Sequence, residues 1–332
     1  MERQPTSRPG QGFWTDFRDC WQRLPNKGFF LGLLVAWLAL FQFLGNSTLG
    51  YFRTRSLLHW MYITDTSTVG NLLDSEGAFS LLIPLVVLVL FWLKRRQLIS
   101  LPLSLWWPGL LIVAVALGLH FIGYAVQQPR LSIIALFAGI FGLAGLAWGP
   151  AWLRVSFFPY FLFGLCVPLG SLAEPISFRL RLLSSQLVAL VSQYVLQIDV
   201  VREGNLLRDP MNRYGYEVAA ACSGIHSLIA TLALCVILAF LSCRKPWKRA
   251  VMILSAFPLA VLGNIVRMLS IIVAAEIGGQ SSGDWVHQGG PLGVFSLLPY
   301  LLAFGGLLVL EHYLRDPPAL LSSQQQLESK PA

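Results

Sequence analysis

The feature that most constrains this chain is a series of long apolar runs separated by short basic clusters. A hydrocarbon core about 30 Å thick is crossed by about 20 apolar residues in helical form, and several runs meet or approach that length. About eight membrane helices are expected, near 28–46, 78–93, 106–126, 131–149, 155–172, 223–242, 250–276 and 292–312. The second and fifth are short and call for tilt or bilayer thinning. Composition agrees. Of 332 residues, 55% are hydrophobic and only 12% charged, against about 25% charged in an ordinary soluble protein. Those figures exclude a disordered chain, a secreted disulfide scaffold and an ordinary soluble enzyme. The expected fold class is an all-α polytopic integral membrane protein.

The formal net charge of +8 does not indicate a nucleic-acid partner. Its lysines and arginines sit between apolar runs rather than on one soluble face, so membrane topology accounts for them better. Arg3, Arg8, Arg18, Arg23 and Lys27 precede the first run. Lys94, Arg95 and Arg96 follow the second, Arg154 separates the fourth and fifth, and Arg244, Lys245, Lys248 and Arg249 follow the sixth. All fall on one side if both termini are cytoplasmic. The expected organisation is a basic segment 1–27, a membrane-embedded domain 28–312 and a disordered cytoplasmic tail 313–332. No cleavable signal peptide is expected, because residues 1–27 are too polar. No internal repeat is evident.

The loops 47–77, 127–130, 173–222 and 277–291 then face outside. The long loop 173–222 breaks the charge rule with Arg179, Arg181, Arg202, Arg208 and Arg213. Within it Leu183, Leu187, Leu190, Val191 and Tyr194 recur at helical spacing, while Ser184, Ser185, Gln186, Ser192 and Gln193 lie mostly off that face. This predicts an amphipathic helix lying in the membrane interface. The runs "IDVVREG" and "YGYEVA" predict a small hairpin-like cap in the outer loop.

Polar residues at membrane depth are costly, so each needs a reason. Three places stand out. In "EVAAACSGIHSL" (217–228), Cys222 stands where the outer loop enters the sixth helix, followed by Ser223 and Gly224. A helix N-terminus favours an anion and so a thiolate. Cys222 is either a nucleophile or a small apolar filler, the role expected of Cys166, Cys235 and Cys243. In "VLGNIVRMLS" (261–270), Arg267 lies in an apolar helix with Asn264 one turn earlier on the same side. An arginine there lines a polar site, or else snorkels to outer headgroups. In "GDWVHQGGPLG" (283–293), His287 sits in the expected last outer loop, as an acid–base group or as a solvated histidine.

Topology assigned from lysines and arginines puts Cys222, Arg267 and His287 at one outer face. A thiol, an imidazole and a fixed cation suit nucleophilic acyl transfer, with the imidazole taking the thiol proton and the cation stabilising the oxyanion. Five cysteines without a CxxC pair give no metal spacing, and neither metal nor organic cofactor is expected.

The order "REG…EVAAACSGIHSL", then "GNIVR", then a histidine in the last outer loop resembles the exosortase/archaeosortase family. The likeness is best over about 75–312, and "EGAFSLLIPLVVLVLFWLKRR" resembles the early helix of that family. The resemblance implies a membrane cysteine transpeptidase or protease. Its partners would be the lipid bilayer and exported proteins carrying a C-terminal sorting signal: a short motif (Pro-Glu-Pro-like in many bacteria), a transmembrane helix and a basic tail. An association with envelope polysaccharide machinery and an inner-membrane location follow from the same likeness. By analogy Cys222 is the nucleophile, His287 the acid/base and Arg267 the electrostatic helper.

The chain departs from the family in places. Glu76 stands before Gly77 where the family has histidine. His226, one turn after Cys222, is a second base or a polar group bonded within the bundle. Gly289, Gly290 and Gly293 compete for the glycine after His287. Glu217 and Arg202 flank the site, either reading a sorting motif or simply solvated. A transporter lined by Arg267 and Asn264, a non-catalytic partner in envelope polysaccharide export, and a serine protease using Ser223 are the rival readings. The first two tolerate loss of Cys222; the third tolerates Cys222→Ala with Ser223 kept.

Overall fold

The structure is a computed structural model. It describes residues 13–48, 54–66, 78–168, 174–218, 225–290 and 294–316. The chain divides into two compact units, Met1–Pro168 and Leu169–Ala332.

The first unit holds α1 (Phe13–Arg23), α2 (Lys27–Leu44), α3 (Leu57–Thr66), α4 (Ala78–Ile99), α5 (Pro108–Ala125), α6 (Pro129–Trp148) and α7 (Pro150–Leu162), with a 3-10 turn at Phe163–Cys166. Proline opens α5, α6 and α7, where its fixed φ and missing N–H cost nothing. Each proline removes one first-turn N–H that would have no partner within its helix.

Helix α6 is the centre of this unit, and its small residues explain why. A Cβ on Gly139 would lie 1.9 Å from the Trp37 ring of α2, and one on Gly142 would lie 2.9 Å from the Gly109 carbonyl of α5. The Trp37 indole N–H donates to the Leu136 carbonyl at 3.0 Å, and His120 Nδ1 meets Ser132 Oγ at 3.0 Å. Small residues let backbones approach where lipid offers no hydrophobic drive to associate.

The second unit holds α8 (Glu174–Tyr194), strands β1 (Val201–Glu203), β2 (Leu206–Arg208) and β3 (Gly215–Glu217), then α9 (Ile225–Ser242), α10 (Pro246–Leu254), α11 (Ala256–His287) and α12 (Val294–Leu314). The strands form an antiparallel meander in the order β1-β2-β3, with Arg202 opposite Leu207 and Leu207 opposite Tyr216. The strand-like runs of the sequence are therefore strands. Their inner side joins Val188 of α8 and Met268, Ile271, Ile272 and Val286 of α11 in one buried cluster with Leu207, Tyr214, Tyr216 and Val218.

Five helical segments among the described residues are long and apolar enough to cross a membrane: Lys27–Leu44, Pro108–Ala125, Pro129–Trp148, Pro246–His287 and Leu297–Leu314. The chain is a multi-pass, mainly helical membrane protein. The other expected runs are helical as well, in α4, α7 and α9, but the expected helix 155–172 differs. It starts at Pro150, contains Pro159, and gives way to the 3-10 turn after Leu162.

Helix α8 buries serines beside Leu180, Val188 and Ala189 and exposes several apolar residues. Ser184, Ser185 and Ser192 are 1%, 0% and 0% exposed, while Leu190 and Tyr194 are 43% and 78% exposed. A water-soluble protein would invert that pattern. Ser185 Oγ donates to the Leu182 and Gly204 carbonyls at 3.0 and 2.9 Å, and of the expected apolar stripe Leu183, Leu190 and Tyr194 are exposed while Leu187 and Val191 are half-buried.

Two segments at the ends of the chain are tied to the helices beside them. The basic segment 1–27 contains α1, whose Phe13 and Phe17 rings lie 5.0 and 5.9 Å from Trp92 of α4, and whose Asp16 pairs with Arg95. At the other end the expected disordered tail 313–332 begins in order: α12 runs to Leu314 and Asp316 is buried. It accepts from the Arg244 amide at 2.8 Å and pairs with Lys248 at 2.5 Å, tying the end of α12 to the α9–α10 corner. Residues 317–332 lie outside the described residues.

Candidate active site

The site belongs to the second unit, and its geometry follows from one glycine. Gly279 has φ +74° and ψ −174°, a conformation that only glycine adopts readily. It divides α11 into two arms, 256–278 and 280–287. A Cβ on Gly283 would lie 2.8 Å from the Ala275 Cβ. In a continuous helix those positions are about 12 Å apart along the axis. The second arm therefore folds back along the first, and Val286 packs with Ile271 and Ile272.

This corrects the expected position of His287. It ends a helix rather than sitting in a loop, because the chain remains helical beyond the fold-back until Gly289 and Gly290, both at positive φ. The fold-back also brings it near a residue twenty positions earlier. The positive charge of Arg267 and the negative charge of Asp284 both act on the half-buried imidazole. Two of the expected site residues thus lie within electrostatic range of each other.

Asn264 is one turn before Arg267 and only 3% exposed. Its Nδ2 and the Arg267 Nε are buried with no hydrogen-bond partner among the described residues. Buried donors left in this way are rare, and at membrane depth they are costly. The neighbouring Gly263 holds α11 against α12; a Cβ there would meet the Pro299 carbonyl at 2.6 Å.

Glu217 and Arg202 are placed differently from these. Both are exposed on the sheet, and Glu217 accepts from Asn205 Nδ2 at 3.0 Å. Successive strand residues point to opposite faces, so Glu217 faces away from the side on which Tyr216 packs. His226 lies in the first turn of α9, and its side chain is outside the described residues. Cys222, Ser223 and Gly224 also lie outside them. Cys166, Cys235 and Cys243 are buried, as expected of apolar filler.

Sequence reasoning missed Tyr216. Its ring lies 6.3 Å from the His287 ring at an interplanar angle of 21°, and its hydroxyl donates to the Gln280 carbonyl at 3.0 Å. Burial and the nearby Asp284 carboxylate push its phenol up to about 12, so it is a neutral donor at every physiological pH. The alternation of "YGYEVA" carried the signal, since it puts Tyr214, Tyr216 and Val218 on one face.

Among the described residues no group of three or more His, Cys, Asp or Glu side chains could hold a metal ion. An imidazole, with an amide Nδ2 and a guanidinium Nε that have no partner among the described residues, suits proton transfer and stabilisation of a developing oxyanion.

A multi-pass membrane protein with such a polar site in its second unit narrows the class considerably. The family model of the transmembrane exosortase (Exosortase_EpsH) matches residues 69–305, and the chain belongs to that family. Comparison with curated proteins and with solved structures found no match.

Proposed function

We propose that this exosortase-family protein is a membrane cysteine transpeptidase or protease. It acts on exported proteins that end in a short motif, a transmembrane helix and a basic tail. The observation that supports this reading is the Gly279 fold-back, which returns the arm bearing His287 along the arm bearing Arg267 and sets the imidazole within range of that positive charge. Cys222 follows Val218 by four residues, a length of backbone that spans at most about 14 Å. Val218 is buried in the same cluster as Val286.

In this mechanism Cys222 Sγ attacks the scissile carbonyl carbon while His287 takes the thiol proton. Arg267 stabilises the oxyanion, with Asn264 as a second donor. Collapse breaks the C–N bond, His287 returns the proton to the leaving amine, and a thioester remains on Cys222. Water or an amine acceptor then attacks the thioester, giving an acid or a new amide and restoring the thiol. Ser223, Gly224, His226, Glu217 and Arg202 are supporting or substrate-contacting positions in this reading. The orientation supported by the basic clusters has both termini in the cytoplasm, about eight spans, α8 in the outer interface and the sheet as an outer cap of an inner-membrane enzyme.

The test compares C-terminal peptides of exported proteins, by quantitative mass spectrometry, in cells with wild-type protein or Cys222→Ala. The expected result is a set of proteins that lose their transmembrane tail only with the wild type. Identical processing in both strains would overturn the cysteine mechanism and favour a transporter or assembly role.

A further inference from the structure

The second arm of α11 is held from the sheet, at points on both sides of the Gly279 fold-back. Before it, Arg213 Nη2 and the Tyr214 hydroxyl donate to Glu276 at 2.9 and 3.0 Å. After it, the Gly215 amide donates to Gln280 Oε1 at 3.0 Å and the Tyr216 hydroxyl to the Gln280 carbonyl at 3.0 Å. Four consecutive residues thus bridge Gly279, the position in α11 with non-helical φ and ψ.

The bridge is itself rigid at its start. Asp209 accepts from the amides of Met211 and Arg213 and from Arg213 Nε, at 3.0, 3.1 and 3.1 Å. At its far end Tyr216 fits against Gly283, where a Cβ would lie 2.0 Å from the phenol oxygen. From that seat the ring stacks on His287. No other residue at 283 leaves room for the hydroxyl.

We propose that segment 213–216 is a splint across the Gly279 fold-back and that Tyr216 is the positioning residue that orients the His287 ring. The inference rests on the reading of His287 as the acid–base partner of Cys222. A short helical arm of 280–287 has few hydrogen bonds of its own and is marginal in isolation. The splint holds its direction, Gly283 admits the phenol, and the phenol limits rotation of the imidazole. Among the described residues, the charged groups that act on the imidazole are Arg267 and Asp284.

The experiment uses the full chain in detergent and iodoacetamide as the probe of Cys222, with alkylation read by peptide mass spectrometry over a pH series. Iodoacetamide reacts with the thiolate, so the rate reports how well the imidazole and thiol are paired. His287→Ala is expected to lower the rate at pH 7 and to move the midpoint of the pH profile. Tyr216→Phe keeps the ring and is expected to lower the rate about fivefold, the equilibrium effect of one ordinary hydrogen bond. Gly283→Ala, which expels the phenol, is expected to approach His287→Ala. If His287→Ala moves the profile while Tyr216→Phe and Gly283→Ala follow the wild type, the splint is overturned and the Cys222–His287 reading stands. If His287→Ala leaves the profile unmoved, that reading fails and the inference fails with it. Should Gly283→Ala not fold, Tyr216→Phe decides alone.

Discussion

A Cβ on Gly283 would come within 2.8 Å of the Ala275 Cβ, although both belong to one helical element. That contact exists only because Gly279 reverses the chain between them. Replacing Gly279 by alanine puts a Cβ on a conformation that costs about 1–3 kcal/mol for a non-glycine residue. The expected outcome is a lower thermal midpoint in detergent and loss of processing. Gly118→Ala is the control. Nothing lies within 4 Å of its would-be Cβ, and in a helix interior alanine is favoured by about 0.5–1 kcal/mol.

The Asp209–Arg213 pair makes the sheet sensitive to acid. The Arg213 guanidinium, helped by the amides of Arg213 and Met211, holds the Asp209 carboxyl below its ordinary value of 3.8. A carboxyl lowered in the folded state stabilises the fold above its unfolded value, and that contribution is lost as pH falls through the folded value. Protection of amides 201–217 from hydrogen exchange, corrected for intrinsic rates, should therefore be constant from pH 7 to about 5 and drop below about 3.9. Asp209→Asn should remove the pH-dependent step and show low protection throughout.

Asn264 separates a structural role from a functional one. Its Nδ2 has no hydrogen-bond partner among the described residues, so Asn264→Leu removes an unsatisfied buried donor. Such a change is close to neutral or stabilising. The expected result is a thermal midpoint equal to or above wild type, with release of substrate tails reduced. An unchanged release rate would remove Asn264 from the proposed site.

Arg267 is argued to stabilise an oxyanion, and its Nε is likewise buried without a partner among the described residues. Arg267→Met should slow tail release about 10²–10³-fold, the range for losing one such donor. Arg267→Lys keeps the charge but not the planar fork, and should recover only part of the rate. Equal rates for the two variants would mean that charge, rather than directed donors, is irrelevant to the step.

In the first unit, the test falls on α6. A Cβ on Gly139 would sit 1.9 Å from the Trp37 ring, and that ring is fixed by its bond to the Leu136 carbonyl. Gly139→Ala should cost about 1–3 kcal/mol through overpacking, read as a lower unfolding midpoint. Trp37→Phe should lose about 1 kcal/mol from the indole bond yet ease the Gly139→Ala defect in the double variant.

Much of this protein is legible in one dimension. Apolar runs of about 20 residues announce membrane helices because the bilayer leaves no other partner for backbone polar groups. The outward stripe of Leu183, Leu190 and Tyr194 on α8, the strands after it and the burial of Cys166, Cys235 and Cys243 follow from spacing and residue size in the same way. Arg267 and Asn264 attract notice because polar groups at depth are costly wherever they fall. What the chain could not announce is proximity. The arm bearing His287 returns along the arm bearing Arg267 only because Gly279 takes a positive φ and Gly283 lacks a side chain, and a pair of glycines in "EIGGQSSGDWVH" marks a bend without giving its direction. Tyr216 reaches His287 because β3 packs on α11, and Glu217 turns away because strand neighbours face opposite sides. Local spacing sets which residues share a face of one element. Which faces meet is decided by close packing between elements, and that is a property of the tertiary structure alone.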